Sequence, residues 1–382
     1  MRGRWIAVLF ALAACGDDDT SVATLEVPPL LDLDDPETCV SCHATIVGEW
    51  RSSMHAHAHQ SADPIYAAMR GLRMQRQGEA VAARCGSCHH PLVADRPDEA
   101  LAARGVTCRS CHGVAEVREG AGHAALVFAD DRTLRGPHDL AADASPAHGT
   151  GPAASHLTDG ETLCLACHRR AQNPQGAVTC NTGHEHEESA DAAATCTGCH
   201  MPTVSSAGGA VGRAPHRSHM FLGPHDAWMG NDAFLRSAVS LEARFVEGAL
   251  VMTLANRSGH FFPSGFPGRF AVLQAIGKDA AGAEVWRAWS EEPPEPLRFG
   301  QVWVDAEGAP TLAPFASTLA LDTRLRTDET REVRLEPPPE VAEVEVVLRF
   351  FLIAPKGARA LGLDGDLTEP REVARVSVRR AP

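Results

Sequence analysis

From Phe245 onward the chain alternates between two rows of side chains. Leu250, Met252 and Leu254 form one row against Val251, Thr253 and Ala255, and Val344, Val346, Leu348, Phe350 and Leu352 form another. A period of two belongs to strands with one buried face. Further strands are predicted at 270–276, 302–305, 333–336 and 373–379, between Gly, Pro and Asp turns. Together they predict an all-β, sandwich-like domain over 244–382. Upstream, over 37–243, the pattern changes. Short helices are expected at 45–55 and 64–84, and a third opened by Pro97 with Asp98 and Glu99 in its first turn. Residues 236–243 are expected to form a closing helix. Residues 113–163 show no periodicity beyond two turns, and 203–212 read as a surface loop. The expected fold class is a mostly α or irregular domain followed by an all-β sandwich.

Cysteine and histidine explain the irregular half. Of 12 cysteines and 19 histidines, every one except His260 lies before residue 240. Ten cysteines fall into five copies of Cys-x-x-Cys-His: Cys39, Cys42 and His43; Cys85, Cys88 and His89; Cys108, Cys111 and His112; Cys164, Cys167 and His168; Cys196, Cys199 and His200. This spacing is that of c-type haem attachment, in which two thiols add to the haem vinyl groups and the next histidine binds iron. Zinc knuckles would pair the cysteines in fours without needing a histidine after each pair, and a thioredoxin-like Cys-x-x-Cys occurs singly. Five haem c groups are therefore expected, and the porphyrins must supply much of the interior of this domain. Cys180 and His184 in CNTGH match the pattern with one thiol missing, which leaves a sixth, singly attached haem as an alternative.

Five proximal imidazoles leave fourteen other histidines, a surplus that points to bis-histidine coordination. The candidates for distal ligands are His55, His123, His148, His219 and His225, with His138, His156 and His216 in reserve. His90 adjoins proximal His89 and cannot reach the far face of the same haem. His260 is a lone loop histidine that can cap a haem across the domain boundary or in a neighbouring subunit.

The formal charge is -14, which argues against nucleic acid as a partner and for cationic redox proteins of the respiratory chain or cell envelope, other cytochromes among them. Residues 1–15 combine Arg2 and Arg4 with a short apolar segment and end in Leu-Ala-Ala-Cys15. That ending resembles a bacterial lipobox. It implies a signal peptide, a lipid anchor on Cys15 and a position on the periplasmic face or surface of the outer membrane. Residues 16–36, acidic and rich in Pro, read as a tether.

Four segments together resemble the cytochrome c554 and hydroxylamine-oxidoreductase-like multihaem cytochromes: CVSCHATIVGEWRSSMH from Cys39, GVTCRSCHG from Gly105, CTGCHMP from Cys196 and HRSHMFLGPHD from His216. The resemblance implies distal roles for His55, His219 and His225, and NRSGHFFPSGFPGRF from Asn256 resembles the start of a β-domain appended to such cytochromes. Departures limit the transfer of activity. There is no Cys-x-x-Cys-Lys site as in the related nitrite reductases, and the single tyrosine, Tyr66, lacks the context of the haem-linked tyrosine of hydroxylamine oxidation. The expected function is an exported pentahaem electron carrier rather than an enzyme. The alternatives are an oxidoreductase acting on a small nitrogen or sulfur compound at one open haem, and a sandwich that serves as an assembly module.

Overall fold

The computed structural model describes residues 31–95, 98–190, 194–206, 214–288, 294 and 297–381. Cys15, the 1–15 segment, most of the acidic tether and Pro97 lie outside these residues. The N-terminal region is mostly helical or irregular. Asp35 caps the Pro36–Cys39 turn by accepting from Glu37 N, and the Val40–Arg51 helix follows. The acidic segment end is held by charge, with Asp34 paired to Arg109 and Glu37 to Arg51.

Asp63 accepts from the backbone N–H groups of Ile65 and Tyr66 and opens the Pro64–Gln77 helix, with Pro64 in its first turn. Gly78, at φ +84°, ends it, so the helix expected over 64–84 is two helices, the second being Glu79–Ala83. Asp98 caps Glu99–Ala102. Within 113–163, Val114–Val117 pairs with Leu126–Phe128, and the path beyond is irregular. Thr203–Val204 pairs with His216–Arg217, which brings the ends of the expected surface loop together; residues 207–213 are outside the described set.

The C-terminal region forms antiparallel sheets in a sandwich-like arrangement. One sheet runs Glu284–Ala288, Phe270–Lys278, Glu343–Phe351, Arg371–Arg379, and the other runs Thr330–Leu335, Ala249–Asn256, Val239–Val246. In the first, Leu348 lies opposite Leu273 and Val346 opposite Ala275; in the second, Met252 lies opposite Val333 and Ala243. The rows from both sheets meet in one buried cluster that includes Leu250, Met252, Leu254, Leu273, Val344, Val346 and Leu348. The period-two rows read from the sequence are the inward faces of these strands. The expected closing helix at 236–243 is not formed. A short helix, Ala233–Arg236, is followed at Val239 by a strand, because Val239, Leu241 and Ala243 alternate inward against Asn256, Leu254 and Met252.

Ile65, Ala227 and Leu235 from the N-terminal region enter the sandwich core. Polar contacts reinforce the join. Glu185, 1% exposed, pairs with Arg324 at 2.7 Å and bonds to Ser264, and its carbonyl accepts from Thr327 at 2.6 Å. Asn173 donates to the carbonyls of Ala313 and Ala316. Arg324 also pairs with Asp322 at 2.7 Å, so loss of Glu185 removes one of its two carboxylates together with the bond to Ser264. Glu185→Ala is therefore expected to destabilise the protein by about 2 kcal/mol, read as a lower urea midpoint in far-UV circular dichroism; an unchanged midpoint would show that the pair is not a structural brace.

Candidate haem-binding site

Each Cys-x-x-Cys-His copy is one helical turn. Gly86–His89, Cys108–His112 and Cys196–His200 are short helices, Thr162–His168 ends on its motif, and the first motif joins the Pro36–Cys39 turn to the Val40–Arg51 helix. His43 leaves helical geometry at φ -124°, ψ 36°. In a helix, positions i, i+3 and i+4 share a face, so both thiols and the imidazole of a motif lie on one side of the turn.

None of the eleven cysteines among the described residues is in a disulfide. The Cys39 thiol interacts with Cys108, Cys88 with Cys167, and Cys164 with Cys196, while Cys111 lies within electrostatic reach of Cys164 and Cys167. The motifs are thus not arranged in chain order. The first meets the third, the third approaches the fourth, and the second and fifth both meet the fourth. Among the described residues no cluster of three or more His, Cys, Asp or Glu is suited to a bare metal ion.

Three motif imidazoles have a second imidazole at nearly one spacing. Ring centroids are 6.4 Å apart for His168 and His55, 6.2 Å for His112 and His219, and 6.3 Å for His200 and His260. Two imidazoles on opposite faces of one metal ion, each bonded at about 2 Å, place their centroids roughly 6.3 Å apart. Direct ring stacking would bring them much closer. His43 lies within electrostatic reach of His148.

Hydrogen bonds orient these rings. Nδ1 of His89 donates to Ala58 O at 2.7 Å, that of His112 to Arg135 O at 2.6 Å, and that of His200 to Leu222 O. His123, His148, His219 and His260 donate likewise to Pro91, Gly149, Arg217 and Phe261. A carbonyl only accepts, so Nδ1 carries the proton and Nε2 keeps its lone pair, the tautomer a metal ligand needs. Burial holds the pKa of His55 down to about 3 and those of His168, His219 and His260 down to about 4, so these rings are neutral.

The distal candidates are held by their neighbours. Trp50 Nε1 donates to Val106 O at 2.8 Å, and Val106 N donates to His55 O at 2.9 Å, which ties the His55 turn to the third motif. Glu49 accepts from His219 N at 2.8 Å and from His216 Nε2 at 3.0 Å. Glu49 therefore occupies the ligating nitrogen of His216, which positions the His219 loop. His186 is similarly engaged at both nitrogens, by Gly259 O and by Glu161.

Other histidines sit differently. His123 donates from its backbone N to Ser87 of the second motif, and its Nε2 lies 3.6 Å from Asp95. His225 is half-buried near Arg269 with its pKa lowered to about 3 by burial, and it belongs to none of the three ring pairs. His138 is exposed, His156 is buried, and His90 is half-buried with its ring 5.5 Å from that of His59. Cys180 and His184 flank the start of the Thr182–Glu187 helix, where His184 bonds Glu187 at 2.7 Å and Glu185 braces the sandwich. The second motif differs from the rest: His89 stacks on Tyr66, with centroids 3.9 Å apart and planes at 11°.

Residues 38–113 match the family described as cytochrome c554 and c-prime. Among solved structures, the crystal structure of a penta-heme cytochrome c552 from Thermochromatium tepidum is similar. Its TM-score is 0.74 at 25% identity, over 90% of this chain and 98% of that one. The chain carries a multihaem c-type cytochrome domain followed by a distinct β-rich domain. No curated protein matches it. The cytochrome domain binds several haem c groups and functions in electron transfer. Among the described residues no helix is long and apolar enough to cross a membrane.

His260, in the β-rich domain, joins the ring pairs, and His225 does not. The signal for His260 was its position between Gly259 and two phenylalanines in a loop, but no spacing rule links it to Cys196. One glycine tests how the cytochrome domain is held. Gly105 sits at φ +67°, and a Cβ there would meet His55 O at 2.3 Å. Gly105→Ala is expected to destabilise the holoprotein by at least about 1 kcal/mol and to perturb the His55 site, visible as a lower melting temperature and an altered haem spectrum. Wild-type behaviour in both would rule out the close approach.

Proposed function

We propose that this chain is an exported pentahaem electron carrier of the cell envelope whose haems are mainly held between two imidazoles. The observation that carries the reading is the shared spacing of 6.2 to 6.4 Å in independent ring pairs, each built on a Cys-x-x-Cys-His turn. The ten motif cysteines would tether five haems, and His43, His89, His112, His168 and His200 would bind iron from the proximal side. His148, His219 and His55 are proposed distal ligands at the first, third and fourth motifs. The Thermochromatium tepidum cytochrome is described as penta-heme, which supports a count of five. Cys180 and His184 are not needed as a sixth site, since their helix serves the join to the sandwich.

Bound haem supplies reversible one-electron chemistry. The protein fixes His89, His112, His148, His200 and His219 through Nδ1 bonds to backbone carbonyls and buries the ring of His55. It also places neighbouring attachment thiols together, so that electrons pass between sites without substrate chemistry. The charge of -14 favours a cationic redox partner.

A second reading rests on the second motif. His89 has Tyr66 as its ring neighbour, not an imidazole at axial spacing, and the Tyr66 hydroxyl is buried without a well-formed hydrogen bond. An open position there would suit turnover of a small nitrogen or sulfur compound. Electron paramagnetic resonance of the oxidised holoprotein separates the two. The carrier reading predicts low-spin iron at all five haems; one high-spin haem in five would favour the second reading and call for turnover assays with nitrite, hydroxylamine and sulfite.

The proposed lipid anchor on Cys15 places the protein on the periplasmic face or surface of the outer membrane. Cys15→Ala is expected to move the protein from the membrane fraction to the soluble envelope fraction; unchanged fractionation would remove the anchor from the proposal.

A further inference from the structure

We infer that His260, carried by the β-rich domain, is the distal axial ligand of the haem attached at Cys196 and Cys199. The inference rests on the haem-binding reading of that motif. The His200 and His260 rings lie 6.3 Å apart at 16°, matching the spacing of the pairs within the cytochrome domain. Both donate from Nδ1 to backbone carbonyls, Leu222 O and Phe261 O, so each keeps Nε2 for the metal.

The loop that carries His260 is built to hold one position. Asn256, 4% exposed, donates to His260 O at 2.6 Å and to Arg326 O at 2.9 Å, and its Oδ1 accepts from Ser258. Phe262 and Leu325 exchange backbone hydrogen bonds on the far side. From the cytochrome domain, His186 donates to Gly259 O at 2.8 Å, and Glu185 grips Ser264 and Arg324. The CNTGHEHEES segment thus braces the His260 loop instead of carrying a haem. The nearest rival, His225, makes no ring pair with His200, whose other aromatic neighbour is Phe234. The β-rich domain therefore completes the coordination of the last haem, and its docking and the redox properties of that haem are linked.

The test compares the holoproteins of His260→Ala, His260→Met and His225→Ala, with haem content measured by pyridine haemochrome and spin state by electron paramagnetic resonance. His260→Ala is expected to convert one haem's worth of low-spin signal to high-spin at unchanged haem content, and His225→Ala to leave the fifth site intact. His260→Met is expected to return the site to low spin with a methionine-to-iron charge-transfer band and a raised potential. An unchanged spectrum for His260→Ala, or the conversion appearing in His225→Ala instead, overturns the assignment. Should the alanine variant fail to fold, the methionine variant decides: absence of its band overturns the assignment. Wild-type protein lacking low-spin haem would instead overturn the bis-imidazole reading as a whole.

Discussion

Two thiols and an imidazole must reach one haem from one helical turn, and the architecture of the first 240 residues follows from that constraint. A Cys-x-x-Cys-His turn is four or five residues long and has little apolar surface to bury. Five such turns cannot build a core among themselves. The apolar cluster nearest the motifs is small, formed by Val114, Ala125, Leu126 and Ala166, whereas the large buried cluster lies in the sandwich. The cofactors must therefore supply the missing interior, and folding of this domain is coupled to their attachment, as in other domains whose cores are completed by a bound group.

The sandwich compensates for this dependence. Its core admits Ile65, Ala227 and Leu235, and its edge loops grip the Thr182–Glu187 helix through Glu185 and His186. A rigid β scaffold holds a loop in place more firmly than the irregular chain around the motifs can, because paired strands satisfy the backbone on both sides. A ligand on such a loop keeps its position when the cofactor changes charge. An axial imidazole drawn from the β-rich domain, as proposed for His260, would have this physical advantage.

The arrangement of the motifs also bears on electron flow. Cys164 and Cys167 stand next to cysteines of the second and fifth motifs, and Cys111 of the third lies close by. The fourth motif is a junction, with the first reached through the third. Its proximal His168 is paired with His55, whose turn is tied to the third motif by Val106. If haems are attached at these turns, spin state and potential at the fourth would influence transfer between the second, third and fifth.

The sequence by itself determined the chemistry and the two-part plan. Cys-x-x-Cys-His is a local pattern, since one helical turn contains all the atoms the attachment requires, and the alternation of Leu250, Met252 and Leu254 or Val344, Val346 and Leu348 is set by the strand itself. The strand from Val239 is set by pairing with Ala249–Asn256, which turns Val239, Leu241 and Ala243 inward. The partner of each proximal histidine was hidden. The ring pairs join residues far apart in the chain, His55 with His168 and His200 with His260, and no periodicity links them. Glu49 shows the same limit: only the folded chain brings its carboxylate to His216, removing that ring from ligation while His219 remains available. Tertiary structure decided these matters because a nitrogen's availability depends on which group already holds it, and that group comes from elsewhere in the fold.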